Sequence, residues 1–386
     1  MTDKKTLAFD SKVIHSGQAP DPLTGAVMQP IYATSTFAQS APGEHSGYEY
    51  SRSENPTRMA FERSIAALEE GSHGLAFSSG LAAIDAVLQH LPAESHVIAL
   101  DDLYGGTFRL FNRIKSKHAG MKFTHIDMSD LDLLQQSITP ETRLIWLETP
   151  SNPLLKCVDL AAIADIAKQH DILTACDNTF ATPYNQRPIT LGIDVVMHST
   201  TKYINGHSDI IGGALVIGDN EELAEALKFM QFAVGAIASP FDSFLALRGV
   251  KTLSVRMQRH NENAQKIAEH LTGLDAIEQV FYPGLTDDPN HALASKQMSG
   301  YSGMVSCYIK GDLARTSEFM KRLELFTLAE SLGGVESLIN HPAIMTHASL
   351  PESQRQKLGI FDNLVRFSVG IEDANDLIAD IDQAIA

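Results

Sequence analysis

The stretch DVVMHSTTKYINGHSD, residues 194–209, begins as an apolar run and ends among hydroxyl and amide side chains around Lys202. The run predicts a buried strand, and the polar residues predict a loop at its carboxyl end. The other runs of this kind are HVIAL (96–100), KFTHI (122–126), RLIWLET (143–149), ILTACD (172–177) and GALVIG (213–218). The intervals between these runs mostly leave room for a crossover helix. This alternation predicts an α/β fold whose mostly parallel sheet is covered on both faces by helices.

The parts of the chain on either side of this alternation have different patterns. Residues 1–58 carry Gly, Pro, Ser and Thr without helical period, which predicts an extended arm that lies on a neighbouring subunit. Residues 59–250 then form the predicted large domain. The first predicted helix starts just before this boundary, with Asn55 as its N-cap and Pro56 as its first helical residue. A long helical pattern from Pro240 leads into residues 251–386, where strand-like and helical segments mix and predict a smaller C-terminal α+β domain.

Composition excludes several classes of protein. The chain has 386 residues, a formal net charge of −17 and only three cysteines, none in a C-x-x-C pair. The negative charge opposes nucleic acid and anionic membranes as partners, and the sparse cysteines favour a reducing compartment. The polar N-terminus and the lack of a long apolar run lead us to expect a cytoplasmic protein. We expect no metal site, since H-E-x-x-H and paired cysteine motifs are absent.

Several residues near strand ends could bind part of a ligand or could be ordinary structure. Ser79-Gly80 lies between a predicted strand and helix, as a capped turn or as an anion site to which Ser199 and Thr201 could add hydroxyl groups. Asp177 could cap the next turn or face a protonated heterocyclic nitrogen. Lys202 could be a surface residue or a nucleophile toward an aldehyde.

Two further residues complete this set of candidates. Tyr104, in DDLYGGT, could be a loop tyrosine or a ring that stacks on a planar cofactor. Arg366 stands inside an apolar strand, where its partner could be a substrate carboxylate or a structural Asp or Glu. Each feature alone is more simply explained as structure or is evenly balanced. Together they predict a pyridoxal phosphate site that handles an amino acid.

The motifs that contain these residues resemble, in family order, those of the Cys/Met-metabolism family of pyridoxal phosphate enzymes. They are GYEYSRSENPTR (47–58), AFSSGLAA (76–83), DDLYGGT (101–107), ETPSNP (148–153), DNTF (177–180), HSTTKYINGHSD (198–209), LFTLAESLGGVESL (325–338), PAIMTHAS (342–349) and RFSVGIED (366–373). The resemblance implies the fold-type I transferase fold and a homotetramer built from tight dimers that share their active sites.

The resemblance also implies roles for individual residues. Lys202 matches the lysine that bonds to the cofactor, Asp177 the partner of the pyridine nitrogen, and Tyr104 the stacking ring and a proton donor. The implied cofactor-binding residues are Tyr50, Arg52, Ser79, Gly80, Leu81, Tyr104, Asp177, Thr179, Ser199, Thr201 and Lys202, of which Tyr50 and Arg52 reach the cofactor of the neighbouring subunit. The implied substrate-binding residues are Glu49, Asn152, Ser331, Glu336 and Arg366.

The activity that this family resemblance implies is γ-elimination of L-cystathionine to cysteine, 2-oxobutanoate and ammonia. Glu49 and Glu336 match acidic positions of γ-lyases and γ-synthases, which most β-lyases and methionine γ-lyases lack. The alternative is γ-synthase chemistry, in which O-succinylhomoserine and cysteine form cystathionine. A catalytically inactive binding protein of the same fold is the alternative of a different class.

Overall fold

The computed structural model describes residues 7–348 and 351–386. The chain divides into two compact units, one formed by residues up to Pro92 with Arg187–Ser254, the other by Ala93–Gln186 with Val255–Ala386. The predicted division at residues 58 and 250 remains a proposal. The first six residues of the predicted arm, and Ser349 of the PAIMTHAS motif, lie outside the described residues.

The secondary structure alternates between strands and helices along most of the chain. The strands are β1 (His73–Phe77), β2 (His96–Leu100), β3 (Lys122–Ile126), β4 (Thr142–Glu148), β5 (Leu173–Asp177), β6 (Val195–Ser199), β7 (Gly213–Ile217), β8 (Ile277–Phe281), β9 (Met304–Ile309), β10 (Thr327–Leu328), β11 (Leu338–Asn340) and β12 (Leu364–Ser368). The α-helices are α1 (Phe9–His15), α2 (Pro56–Leu68), α3 (Gly80–His90), α4 (Gly105–Arg109), α5 (Ser116–His118), α6 (Leu131–Ser137), α7 (Leu160–Gln169), α8 (Thr182–Asn185), α9 (Glu221–Val234), α10 (Pro240–Val250), α11 (Leu253–Thr272), α12 (His291–Gln297), α13 (Leu313–Arg322), α14 (Glu352–Lys357) and α15 (Ala374–Ile385). A π-helical turn, Leu110–Lys115, joins α4 to α5, and a 3-10 helix, Pro188–Leu191, follows α8.

In the first unit, β7 pairs antiparallel with β1 on one side and with β6 on the other. Helix α2 begins as predicted, because the side chain of Asn55 accepts hydrogen bonds from the first turn and Pro56 is the first helical residue. Its apolar face, Phe61, Ile65 and Leu68, is fully buried. Since these side chains recur at helical spacing, their burial holds α2 against the unit's core.

The second unit contains two sheets. Strands β5, β4, β2 and β3 lie side by side in that order and all run parallel. Every residue of β2 is buried, which is typical of a parallel strand covered on both faces. The second sheet has the order β10-β11-β12-β9-β8, and its pairs are antiparallel except for β10 with β11. Strand β12, which carries Arg366, lies inside this sheet.

The predicted long helix after Pro240 is interrupted. Helix α10 ends at Val250 and α11 begins at Leu253. Near this break, Gly249 lies so close to the backbone of Asn205 that a Cβ on the glycine would be 2.9 Å from the Asn205 Cα. The helical period continues across the break, so the sequence pattern alone did not reveal it. Among the described residues, no helix combines the length and the apolar character needed to span a membrane.

Candidate active site

The start of helix α3 is held in place by three close contacts in the first unit. Ser79 caps the helix, because its Oγ accepts a hydrogen bond of 3.1 Å from the N–H of Ala82. A Cβ on Gly80 would lie 3.2 Å from the Cβ of Ser199, and a Cβ on Gly213 would overlap the Ser79 carbonyl. The first N–H groups of a helix, here from Gly80 and Leu81, have no acceptor within the helix. They form an anion-binding end beside the Ser199 hydroxyl.

Lys202 lies in a tight turn directly after β6. Its N–H donates to the Ser199 carbonyl at 3.2 Å, and its carbonyl accepts from the N–H of Gly206 at 2.8 Å. The hydroxyl of Thr201 accepts a 3.0 Å hydrogen bond from the N–H of Gly212. Both Thr201 and Lys202 are partly buried. The backbone of this turn therefore places the lysine and two hydroxyl residues on one short segment.

The remainder of the turn, INGHSD (204–209), is closed by its own hydrogen bonds. The Asn205 side chain donates to the Asp209 carboxylate at 2.6 Å, and the His207 ring bonds to the Asn205 carbonyl at 2.7 Å. Gly206 has a φ of +74°, which favours glycine. These bonds close the loop behind Lys202.

The arm residues of the first unit lie near helix α9. The guanidinium of Arg52 donates to the carbonyl of Phe232 at 2.9 Å and lies 5.5 Å from the ring centroid of Tyr50. The Tyr50 side chain is 45% exposed. Glu49 is also exposed, and its carboxylate lies 3.2 Å from the ring of His45. The described chain thus presents an aromatic ring and a cation together at its surface.

In the second unit, Asp177 is the last residue of β5 and is only 8% exposed. Its carboxylate accepts a 3.0 Å hydrogen bond from the N–H of Thr179. Glu148, the last residue of β4, is its partner in the parallel ladder. Two carboxyl groups therefore share one edge of the buried sheet, where a cationic ligand group would compensate negative charge.

Tyr104 precedes helix α4 and is fixed at both its backbone and its ring. Its N–H donates to Glu148 Oε2 at 2.9 Å, and a Cβ on Gly106 would overlap the Tyr104 ring. The ring is 41% exposed, so one part remains accessible to a ligand. Burial raises the pKa of the Tyr104 hydroxyl, an effect that the charges of Arg109 and Arg366 partly oppose. Tyr104 is therefore protonated at neutral pH.

Arg366, on β12, is only 2% exposed and is held by two acceptors. Its guanidinium donates to Asn152 Oδ1 at 2.7 Å and to the Ser331 carbonyl at 3.1 Å. Ser331 has a φ of +91°, an unusual value for a residue other than glycine. Glu336 is partly buried, and its carboxylate lies 2.6 Å from the position a Cβ on Gly334 would take. The second unit thus groups the predicted substrate-binding residues, Glu49 excepted.

A neutral histidine lies near Arg366. His347 is fully buried, and burial followed by the charge of Arg366 lowers its pKa to about 4. His341, which is also buried, bonds through its ring to the Asp362 carbonyl at 2.8 Å. At neutral pH His347 adds no positive charge, so Arg366 is the cation of this group.

Sequence reasoning missed two buried acidic residues, Glu148 and Asp102. Burial, and then the charge of Asp177, raises the pKa of Glu148 well above its ordinary value. Burial raises the pKa of Asp102 to about 6, although Ser151 donates a 2.5 Å hydrogen bond to it. Both residues stand at or just after the end of an apolar run, as Asp177 does. The argument applied to Asp177 would therefore have found them.

The two groups of side chains fit the chemical parts of pyridoxal phosphate. The first unit offers a helix N-terminus with hydroxyl groups for a phosphate, and an amine for an aldehyde. The second offers a buried carboxylate for a pyridine nitrogen, an accessible aromatic ring, and a guanidinium for the carboxylate of an amino acid. These donors and acceptors are the ones that the cofactor and an amino-acid substrate require.

Comparison with known proteins agrees with this chemistry. The sequence profile of the Cys/Met metabolism PLP-dependent enzymes matches residues 10–386. The chain is 56% identical over 383 residues to a cystathionine beta-lyase of Coxiella burnetii, with 99% of each chain covered. It is 51% identical over 386 residues to a cystathionine gamma-lyase of Dictyostelium discoideum, with 100% of this chain and 99% of the other covered.

The fold agrees as well. A solved structure of metB from Corynebacterium glutamicum superposes with a TM-score of 0.96 at 46% identity and 99% coverage of both chains. The predicted α/β fold and the predicted cofactor are therefore confirmed. The profile covers nearly the whole chain, and the relatives align with it almost from end to end. The protein belongs to the Cys/Met metabolism family of pyridoxal phosphate-dependent enzymes.

Proposed function

We propose that this enzyme is a cystathionine γ-lyase, which cleaves L-cystathionine to cysteine, 2-oxobutanoate and ammonia. The observation that supports an amino-acid substrate is the buried guanidinium of Arg366, which is held by Asn152 Oδ1 and the Ser331 carbonyl. A guanidinium oriented in this way can bind a carboxylate through two hydrogen bonds.

The proposed roles of the other residues follow from their chemistry. Pyridoxal phosphate, when bound, supplies an electron sink for bonds broken at the substrate Cα. Lys202 binds the cofactor and then moves protons at Cα and Cβ. Asp177 holds a proton on the pyridine nitrogen, and Tyr104, which is protonated at neutral pH, donates a proton to the departing sulfur. General acid–base help of this kind contributes about 10²–10⁴-fold in rate.

Further residues hold the cofactor in this proposal. Gly80 and Leu81 bind its phosphate through their N–H groups, with the hydroxyls of Ser79, Ser199, Thr201 and Thr179 around the cofactor. Glu49 and Glu336 hold the distal ammonium group of cystathionine, because carboxylates are suited to a cation. Preference for γ-elimination rests on this acidic pair.

β-Elimination, which would give homocysteine, pyruvate and ammonia, is the second candidate. It is favoured by the 56% identity to the cystathionine beta-lyase of Coxiella burnetii, which exceeds the 51% identity to the gamma-lyase of Dictyostelium discoideum. Both reactions use the same cofactor and the same carboxylate-binding arginine. They differ in the carbon–sulfur bond that breaks.

Identification of the 2-oxoacid distinguishes these candidates. The purified holoenzyme would be given cystathionine alone and, in parallel, O-succinylhomoserine with cysteine, and all products would be identified by mass spectrometry. We expect 2-oxobutanoate and cysteine from cystathionine. Pyruvate and homocysteine would establish the β-lyase, and faster consumption of the second pair with formation of cystathionine would establish the γ-synthase.

The enzyme class itself has a separate test. The wild-type protein should be yellow and should lose its activity on borohydride treatment, because Lys202 is bonded to the cofactor. Lys202→Ala should lose turnover and the borohydride-sensitive band. A colourless wild type that cannot be reconstituted with pyridoxal phosphate would favour a catalytically inactive binding protein.

We also propose that the enzyme is a cytoplasmic homotetramer in which Tyr50 and Arg52 serve the cofactor of the neighbouring subunit. The exposure of the Tyr50 ring supports this proposal, as do Phe229 and Val234 of α9, which are 59% and 56% exposed. Large apolar side chains at a surface are typical of contacts between chains. In this proposal residues 1–58 form the shared arm, 59–250 the cofactor-binding domain and 251–386 the small domain.

A further inference from the structure

Glu148 connects three segments that carry the candidate active-site residues of the second unit. It is the last residue of β4 and opens the loop ETPSNP, which contains Asn152. Its carboxyl group accepts the 2.9 Å hydrogen bond from the N–H of Tyr104 and another from the N–H of Asn152. On its other side it is paired with Asp177 in the ladder of β4 and β5.

A second carboxyl group also links the ETPSNP loop to the Tyr104 segment. Here the accepting carboxyl belongs to the Tyr104 segment and the donor belongs to the loop. Asp102, two residues before Tyr104, accepts a 2.5 Å hydrogen bond from the hydroxyl of Ser151 in the ETPSNP loop. The loop thus supplies an acceptor to the Tyr104 segment and receives one from it. The Ser151 bond is buried and the Tyr104 bond is partly buried, so a change of conformation in either segment would leave polar groups unsatisfied.

We propose that Glu148 is a positioning residue of this active site, which holds the backbone of Tyr104 and so sets where the Tyr104 ring lies. The inference rests on the proposed function for the role of that ring. The Glu148 carboxyl group is engaged by the N–H groups of Tyr104 and Asn152, so it acts through these two residues. The Asn152 side chain in turn accepts from Arg366, which extends the effect to the carboxylate-binding guanidinium.

The charge state of Glu148 follows from its surroundings. Burial and the neighbouring carboxyl groups of Asp177 and Asp102 raise its pKa, and the two backbone N–H groups only partly oppose them. Burial therefore favours the uncharged form of this carboxyl group, and the group still accepts hydrogen bonds from the N–H groups of Tyr104 and Asn152. Glutamine keeps the shape of the side chain and one accepting oxygen, so Glu148→Gln should hold the Tyr104 backbone better than Glu148→Ala does.

The test compares Glu148→Gln and Glu148→Ala with a matched control, Glu141→Gln, which changes an exposed glutamate directly before the first residue of the same strand. Three quantities would be measured on each holoenzyme: hydrogen exchange of the peptide that contains Tyr104, the dissociation constant of pyridoxal phosphate, and the visible spectrum from pH 6 to pH 9. Values of kcat and KM for cystathionine would be added.

Glu141→Gln should stay within about twofold of wild type in every quantity, and Glu148→Gln should lie closer to wild type than Glu148→Ala does. Glu148→Ala should exchange the Tyr104 amide at least about tenfold faster, shift the visible spectrum and lower kcat/KM about tenfold or more, as loss of a buried acceptor predicts. If Glu148→Ala does not fold, Glu148→Asp replaces it, because its carboxyl is one methylene short of the Tyr104 N–H.

Two results would overturn the proposal. One is that the folded Ala or Asp variant exchanges the Tyr104 amide hydrogen at the wild-type rate and has the wild-type visible spectrum. The other is a Gln variant as impaired as that variant, since a neutral acceptor would then not suffice. Neither readout depends on which carbon–sulfur bond breaks. Failure of the proposed γ-lyase activity would appear separately, in the identity of the 2-oxoacid.

Discussion

At the scale of single residues, Asp102 couples the stability of the protein to pH. Its ordinary pKa of 3.8 is raised to about 6 by burial. A carboxyl group whose pKa is raised in the folded state contributes its full stability below the unfolded pKa. That contribution is lost as pH rises through the folded pKa, here between about 4 and 6.

Asp102→Asn removes this titration. We expect the free energy of unfolding of the variant, relative to wild type, to rise by about 2 kcal/mol between pH 4 and pH 7, because the pKa differs by about two units and the unfolded group is already partly ionised at pH 4. Denaturant titrations of both holoenzymes across this range would measure the difference. Asp132→Asn, at an exposed position in α6, is the control and should show no such rise. A difference independent of pH for Asp102→Asn would contradict the assignment.

Gly106 is a second residue whose role is local. A Cβ at this position would overlap the Tyr104 ring, which is partly exposed and can move away. Gly106→Ala should therefore displace the ring with little loss of stability. We expect kcat/KM to fall about ten- to a hundredfold, since a shift of about 1 Å in an active-site group has this effect. The melting temperature should remain close to that of wild type.

Gly273→Ala is the matched control for this substitution. A Cβ there would lie 3.4 Å from the nearest atom, the His270 carbonyl oxygen. Wild-type kinetics are expected for the control. If Gly106→Ala also had wild-type kinetics and spectrum, the position of the Tyr104 ring could not be important for the reaction.

At the scale of secondary-structure elements, the sequence predicted strand ends well because apolar runs stop where the sheet stops. Asp177 and Ser199 are the last residues of β5 and β6, as the runs indicated. The break between α10 and α11 was not predictable, because it coincides with the approach of Asn205 to Gly249. Contacts between segments far apart in sequence leave no period in the sequence. Glu148 was missed for a different reason, since its position at a strand end was a usable signal to which the argument made for Asp177 was not applied.

The N-terminus of α3 depends on a contact between elements that can be tested. A Cβ on Gly213, the first residue of β7, would overlap the Ser79 carbonyl and lie 2.8 Å from the N–H nitrogen of Gly80. Backbone atoms cannot move aside as a flexible side chain does. Gly213→Ala should therefore displace the helix N-terminus and weaken binding of pyridoxal phosphate at least about tenfold, because anion-binding N–H groups lose their alignment.

The control for this prediction lies at the other end of the same strand. Gly218 directly follows β7, and a Cβ there would meet only Ile189 Cγ2, at 3.7 Å. Gly218→Ala should bind the cofactor as wild type does, as measured by titration of the apoenzyme. Equal affinities of the two alanine variants would show that the approach of β7 to α3 is not needed for the cofactor.

At the scale of the whole molecule, composition and alternation sufficed to predict the fold class, and the resemblance sufficed to predict the cofactor. Choice among γ-lyase, β-lyase and γ-synthase depends on finer features than these. In our proposal the acidic residues Glu49 and Glu336 determine that choice, and Glu49 lies exposed on the arm with His45 beside it. The proposed role of Glu49 at a neighbouring subunit's site would require an assembly of chains. Sequence patterns within one chain do not describe that assembly.

The last prediction concerns the sharing of active sites between subunits in the proposed assembly. If Tyr50 serves the neighbouring subunit's cofactor, Tyr50→Ala and Lys202→Ala chains are each defective alone, but a mixed dimer contains one site with both residues intact. Random mixing makes half of the dimers mixed, with one working site of two, so about a quarter of wild-type activity should return.

The mixture would be prepared by joint refolding or coexpression, and subunit exchange would be verified by native mass spectrometry. Tyr48→Ala in place of Tyr50→Ala is a control for the loss of an arm tyrosine, because Tyr48 packs on Phe37 with ring centroids 5.3 Å apart, within its own chain. A Tyr48→Ala defect should not be relieved by the Lys202→Ala chain beyond simple dilution. If verified Tyr50→Ala and Lys202→Ala mixtures also remained inactive, Tyr50 would act in its own subunit, and the arm would not complete a neighbouring site.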